Sequence, residues 1–195
     1  FLRFVEMIPV QFVFLSIFCL FLHKSSSAQD DFYKVEKIQE ISIYFGYSNW
    51  DYRLDTAKAG KENYILADYC IINGERFDSV GVKYKGNSSY NAGRIKNPLH
   101  IKLDFVKNQD YQNYESIKLG NNFSDPSAIR EVISYQILSQ YMDCSVANFA
   151  RVYINGSLMG LYTNVETVNK KFCSEHFGSS DHVFVKGNPD RPGNN

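Results

Sequence analysis

Apolar and polar positions alternate along much of the chain, and that alternation predicts strands. Residues 41–45 (ISIYF) carry the β-branched and aromatic side chains that suit a pleated, half-buried surface. Residues 64–72 (YILADYCII) form a second such run, closed by Asn73-Gly74, a pair that favours a hairpin turn. Over 80–85, Val80, Val82 and Tyr84 fall on one face, with Gly81, Lys83 and Lys85 on the other. Over 99–105, Leu99, Ile101, Leu103 and Phe105 oppose His100, Lys102 and Asp104 in the same way. These two runs predict a β-pair with one apolar and one polar face, joined by the polar loop 86–98. Residues 149–154 and 158–165 predict a further hairpin around Asn155-Gly156.

Helical spacing appears twice. Ser124-Asp125-Pro126-Ser127 offers a cap and a first-turn proline, and Ile129, Val132, Ile133 and Ile137 follow at helical intervals, predicting a main helix over 126–142. A short helix over 169–177 is ended by Gly178. The fold class is therefore α+β: a mostly antiparallel sheet with one main helix.

The run 8–22 (IPVQFVFLSIFCLFL) is apolar but shorter than the roughly 20 residues a membrane span needs. Ser26 and Ala28 behind it supply the small residues of a signal-peptidase cut after Ala28. We expect residues 1–28 to be a signal peptide, leaving a secreted or cell-surface chain with no membrane span after cleavage. What remains has net charge −1 and Cys70, Cys144 and Cys173, whose spacing fits no zinc pattern. The sequence opens on Phe1 and closes in a polar stretch, 187–195, which reads as a piece of a longer protein.

Composition narrows the function. With 21 Lys+Arg against 21 Asp+Glu there is no global charge to hold a nucleic acid, and no nucleic-acid partner is expected. Charge is instead local. Residues 81–107 hold Lys83, Lys85, Arg94, Lys96, Lys102 and Lys107 against Asp104 alone. The loop between the lysine-bearing strands carries Gly86, Ser88, Ser89 and Gly93, whose amides and hydroxyls suit an anion such as phosphate. A solvated sheet face would show the same alternation. Glu131, early in the main helix, is placed to pair with a strand lysine, or simply to favour the helix dipole. The extended segment 160–166, ending in Glu166, could offer main-chain groups to a purine ring.

Read in order, these residues resemble a known family. VGVKYKGNSSY (80–90), KNPLHIKLD (96–104), DPSAIRE (125–131) and VYING (152–156), followed by Gly160-Leu161-Tyr162 and Val165-Glu166, are similar to the signature of the spore-coat protein H (CotH) kinase-like family over roughly residues 38–187. The resemblance implies a protein-kinase-like N-terminal lobe over about 38–163. An inter-lobe segment and short helix would follow over 164–178, with the truncated start of a second lobe. It implies a secreted atypical kinase that binds ATP with Mg²⁺ or Mn²⁺ and phosphorylates Ser or Thr of extracellular or coat proteins. On that plan Lys102 is the phosphate-anchoring lysine, with Lys83 and Lys85 as rivals, Glu131 is its helix partner, and Ser88, Ser89 and Glu166 complete a nucleotide site. The family's catalytic and metal-binding aspartates are expected beyond Asn195, so this piece alone should be inactive. The same fold could also serve as a non-catalytic adhesin or assembly module.

Overall fold

The structure, a computed structural model, describes residues 32–181 together with 183 and 185. The expected signal peptide and the polar stretch 187–195 lie outside the described residues. Seven strands run in chain order: β1 (Gln39–Tyr44), β2 (Ile65–Ile72), β3 (Glu75–Tyr84), β4 (Leu99–Lys102), β5 (Ser116–Gly120), β6 (Ala147–Ile154) and β7 (Ser157–Val165). They close into a barrel in the order β1-β2-β3-β4-β5-β7-β6. Every pairing is antiparallel except β1 with β6, which is parallel and shuts the barrel. Closure removes the sheet edges that would otherwise present unpaired backbone. The mostly antiparallel α+β architecture expected from the sequence is present; that the sheet closes on itself was not foreseen.

Alternation does the folding work. Ile41, Ile43, Val80, Val82, Leu99, Ile101, Ile117, Leu119 and Val152 point inward with no exposed surface. Each such side chain contributes about 1.5–3 kcal/mol of burial. Two hairpins are set by their turns. Asn73 and Gly74 have φ of 50° and 91°, and Asn155 and Gly156 have 47° and 80°, the double positive-φ geometry that Asn-Gly tolerates best. One barrel end is plugged by aromatics, with Phe32 edge-on to Tyr33 and Tyr111.

Several expectations are corrected. Strand β3 begins at Glu75, not 80, because the inward parity changes at Ser79 (φ 57°): Phe77 and Val80 are both buried. Strand β4 ends at Lys102, and Leu103–Phe105 forms a single 3₁₀ turn. That turn swings Phe105 off the inner face and onto the barrel's outside, over Gly81, where a Cβ would lie 2.7 Å from its ring. The short strand β5 and a helix, α1 (Trp50–Ala59), had not been expected. α1 buries only Trp50 and Leu54, too thin an apolar stripe to read as a helical period.

The main helix, α2, spans only Arg130–Leu138. Residues 126–129 turn instead of coiling, since Ala128 takes φ 58°. Ile129, not Asp125 or Ser124, takes the N-cap position, with no side-chain cap bond, although Asp125 accepts the Arg130 backbone N–H at 2.9 Å from five residues upstream. Of its apolar residues Val132 alone is buried, against Ala147 and Val165, while Ile129, Ile133 and Ile137 are exposed. The last helix, α3 (Lys170–Phe177), matches its expectation: Asn169 accepts the Phe172 N–H, and Gly178 (φ 71°) ends it. Cys70, Cys144 and Cys173 are all free thiols. Among the described residues no helix is long and apolar enough to cross a membrane.

Candidate functional site

The outer face of β3, β4 and β5 carries the polar half of the alternation. Register sets it in rows: Lys83 faces His100, and His100 faces Lys118. One row further, the Lys85 N–H bonds the Pro98 carbonyl at 2.9 Å, and Gly120 continues that row on β5. Lys102 lies in the opposite direction, facing Gly81 and Ser116. Four residues of β3 thus separate the Lys102 row from Lys85, roughly 13 Å along the strand.

Where the Lys85 row meets the loops, a cleft of about 450 Å³ opens. Lys85, Ser88 and Ser89 line it from the β3 side, and Gly120 and Asn121 from the end of β5. Arg130 and Glu131 line it from the first turn of α2. Glu131 leans onto the strand end: a Cβ on Gly120 would come within 2.7 Å of its Oε2. The close approach needs the bare backbone there.

The loop that forms one wall is ordered by its own side chains. Gly86 takes φ 86° and turns the chain where any Cβ would strike Ser89 Oγ. Buried Asn97 donates to the carbonyls of Asn91 and Arg94, and its Oδ1 accepts the Asn91 N–H. From behind, Tyr90 donates to Asp55 of α1 at 2.8 Å, and Tyr84 donates to Asp51 at 2.5 Å. Across the cleft, Asn121 donates to the carbonyls of Ser89 (3.0 Å) and Lys96 (3.2 Å). Its neighbour Asn122 reaches the other way, donating to the Leu161 carbonyl and accepting the Thr163 hydroxyl at 2.6 Å. Two consecutive asparagines therefore tie the cleft's floor to both β7 and the serine loop. Sequence reasoning missed Asn97, Asn121 and Lys118; the signal available was an Asn-Asn pair directly after a short alternating strand.

Electrostatics distinguish the lysines. Burial pulls the Lys85 ammonium below its usual range, Glu131 pushes it back up, and Lys118 pulls it down again. His100, whose Nδ1 lies 3.0 Å from the Tyr64 hydroxyl, is driven down to about 3, first by burial and then by Lys118, Lys83, Lys85 and Lys102. It is neutral at physiological pH. The structure thus brings Lys85, Ser88, Ser89 and Glu131 to one cleft, and places the other sequence candidates elsewhere. Lys102 sits 3.7 Å from Asp104. Lys83 lies over the Tyr64 ring, 4.7 Å from its centroid. Glu166 is buried behind the barrel end, its carboxylate accepting the Val146 N–H at 3.3 Å, and burial raises its pKa. Thr163, Asn164 and Val165 pair with strands on both sides, which commits the main chain of that segment to the sheet.

A cleft walled by a glycine-serine loop, a half-buried lysine and a helix-borne glutamate is the chemistry of an anion site on a β-barrel. The family model described as CotH kinase protein matches residues 82–194, which takes in the whole cleft. The chain belongs to the CotH kinase family. No curated protein matches it.

Proposed function

We propose that this chain binds ATP through the cleft, as the nucleotide-binding part of a secreted kinase that phosphorylates Ser or Thr of extracellular or coat proteins. On this reading the barrel and α2 play the part of a kinase N-terminal lobe, and the segment after β7 leads into the next. The observation that carries it is the meeting of Lys85 and Glu131 at the mouth of the serine loop. A triphosphate there would meet the Lys85 ammonium, the Ser88 and Ser89 hydroxyls and the Arg130 guanidinium. Glu131 would hold the ammonium in place. Charge-assisted contacts of this kind contribute about 1.5–3 kcal/mol each. Burial lowers the pKa of Lys85, and a phosphate beside it would raise it again, favouring the ammonium form.

Mg²⁺ or Mn²⁺ would accompany the nucleotide and neutralise phosphate charge. Among the described residues no three His, Cys, Asp or Glu side chains converge to hold a metal. Of the cleft's carboxylates, Asp125 is engaged by Ser127 and Arg130, so no step is assigned to an ion here. These residues account for binding and charge neutralisation.

Calorimetric titration of the chain with ATP and Mg²⁺ tests this reading. The wild type should bind, and Lys85→Met should weaken binding roughly 10- to 100-fold, one charge-assisted contact. Absence of ATP binding by the folded wild type, or equal binding by the variant, refutes it.

A further inference from the structure

We infer that Phe123 is the specificity-determining residue of the cleft, stacking the base of the ligand so that the site selects a nucleotide over a bare polyphosphate. The inference deepens the ATP reading above and rests on it.

The extended segment expected to meet a purine has Thr163, Asn164 and Val165 paired on both sides, so their main chain is spent on the sheet. Recognition of a base then falls to the cleft itself. Lys85, Ser88, Ser89 and Arg130 supply it with charge and hydroxyls suited to phosphate, whereas Phe123 is the single aromatic side chain among its lining residues. That phenyl is 44% exposed although it stands on the wall of a concave site. Every base offers a flat face that stacks on such a ring, and a bare phosphate chain offers none.

The backbone holds the phenyl in place. Phe123 lies between Asn122 and Ser124, whose φ values of 54° and 58° put both neighbours in the left-handed region. Non-glycine residues persist there where the surroundings over-determine them. Here the Asn122 side chain donates to the Leu161 carbonyl at 3.0 Å and accepts the Thr163 hydroxyl at 2.6 Å, and its own carbonyl accepts the Asp125 N–H at 3.1 Å. The guanidinium of Arg94, on the serine loop and outside the cleft lining, stands 5.7 Å from the Phe123 ring centroid. A ring already braced by its turn and by a cation loses little freedom when a base lands on it. The phosphates thus keep to Lys85 and the serine hydroxyls, and the base lies across the cleft on the loop after β5.

The test titrates the whole chain, in Mg²⁺, with ATP and separately with inorganic tripolyphosphate, which carries the phosphates without the base. Phe123→Ala should weaken ATP roughly 10-fold, one lost stacking contact, and change tripolyphosphate by less than about twofold. Phe123→Tyr keeps the ring and should keep the ATP affinity. Phe123→Trp places a fluorophore at the site; ATP should alter its emission and tripolyphosphate should not, with the buried Trp50 as a constant background. Equal losses for both ligands in Phe123→Ala would mark a role in the fold alone, and no loss for either would mark an idle wall residue. Each of those results overturns the inference, while weakened ATP binding by Lys85→Met leaves the ATP reading standing. A wild type that binds neither ligand, or tripolyphosphate alone, overturns both.

Discussion

His100 makes the cationic face measurable through stability. Its folded-state pKa is about 3 against a reference of 6.5, depressed by burial and by Lys118, Lys83, Lys85 and Lys102. The unfolded chain therefore binds a proton that the native protein refuses, and stability falls as pH drops below the unfolded value. Between about pH 7.5 and pH 4.5 the loss from this residue is about 2–3 kcal/mol, and it stays in that range for any native pKa below about 4. Across a marginally stable domain that is a large share of the total. His100→Gln keeps a polar partner for the Tyr64 hydroxyl but removes the titration. Trp50, the single tryptophan, stacks 6.0 Å from Phe45 in the core and reports unfolding by fluorescence. Urea titrations at several pH values should show the wild type losing about 2–3 kcal/mol more than the variant on acidification, because the carboxylates titrate alike in both. Parallel pH profiles, or a His100 midpoint near 6.5 by NMR, would refute the buried, lysine-ringed environment.

Two further substitutions probe the cleft's scaffold. Asn121→Ala removes both clamps on the serine loop and should cost about 1–2 kcal/mol in urea unfolding, with faster amide exchange across 86–97 than in the wild type. Asp125→Ala removes the acceptor for the Arg130 and Ser127 N–H groups and should cost about 1 kcal/mol, read as a lower urea midpoint at unchanged slope.

How much the sequence revealed depended on whether the code was local. Both Asn-Gly hairpins and the Asn169–Gly178 caps of α3 are decided within a few residues, and each stands where the pattern put it. The paired faces of β3 and β4 were legible for the same reason, since alternation needs only a pleat. Failures came where a single backbone angle broke the period. Ser79 reversed the parity of β3 and hid its first half, Ala128 postponed α2, and the 3₁₀ turn at Leu103–Phe105 sent Phe105 outside. None of these residues is Gly or Pro, so nothing in the composition announced the break. The apolar spacing of α2 was real, yet among the described residues only Val132 is buried, with Tyr135 packed partly against the same cluster. Spacing reports which residues share a face, not whether that face is covered.

The same distinction explains why the lysine could not be chosen from the sequence. Lys83, Lys85 and Lys102 share one face by alternation, and alternation carries no information about distance along the barrel. Register supplies it, and register is fixed from inside. Tyr84, Leu99 and Leu119 stand in one buried row, and their packing sets Lys85, Pro98 and Gly120 side by side in the next row out. A one-residue slip would drive the lysines into an interior that has no room or partner for charge, so the apolar core enforces the arrangement of the polar face. A closed barrel filled with aliphatic side chains leaves its chemistry to the outer face and to the loops at its rim. Those are where the serine loop, the asparagine pair and the first turn of α2 meet Lys85.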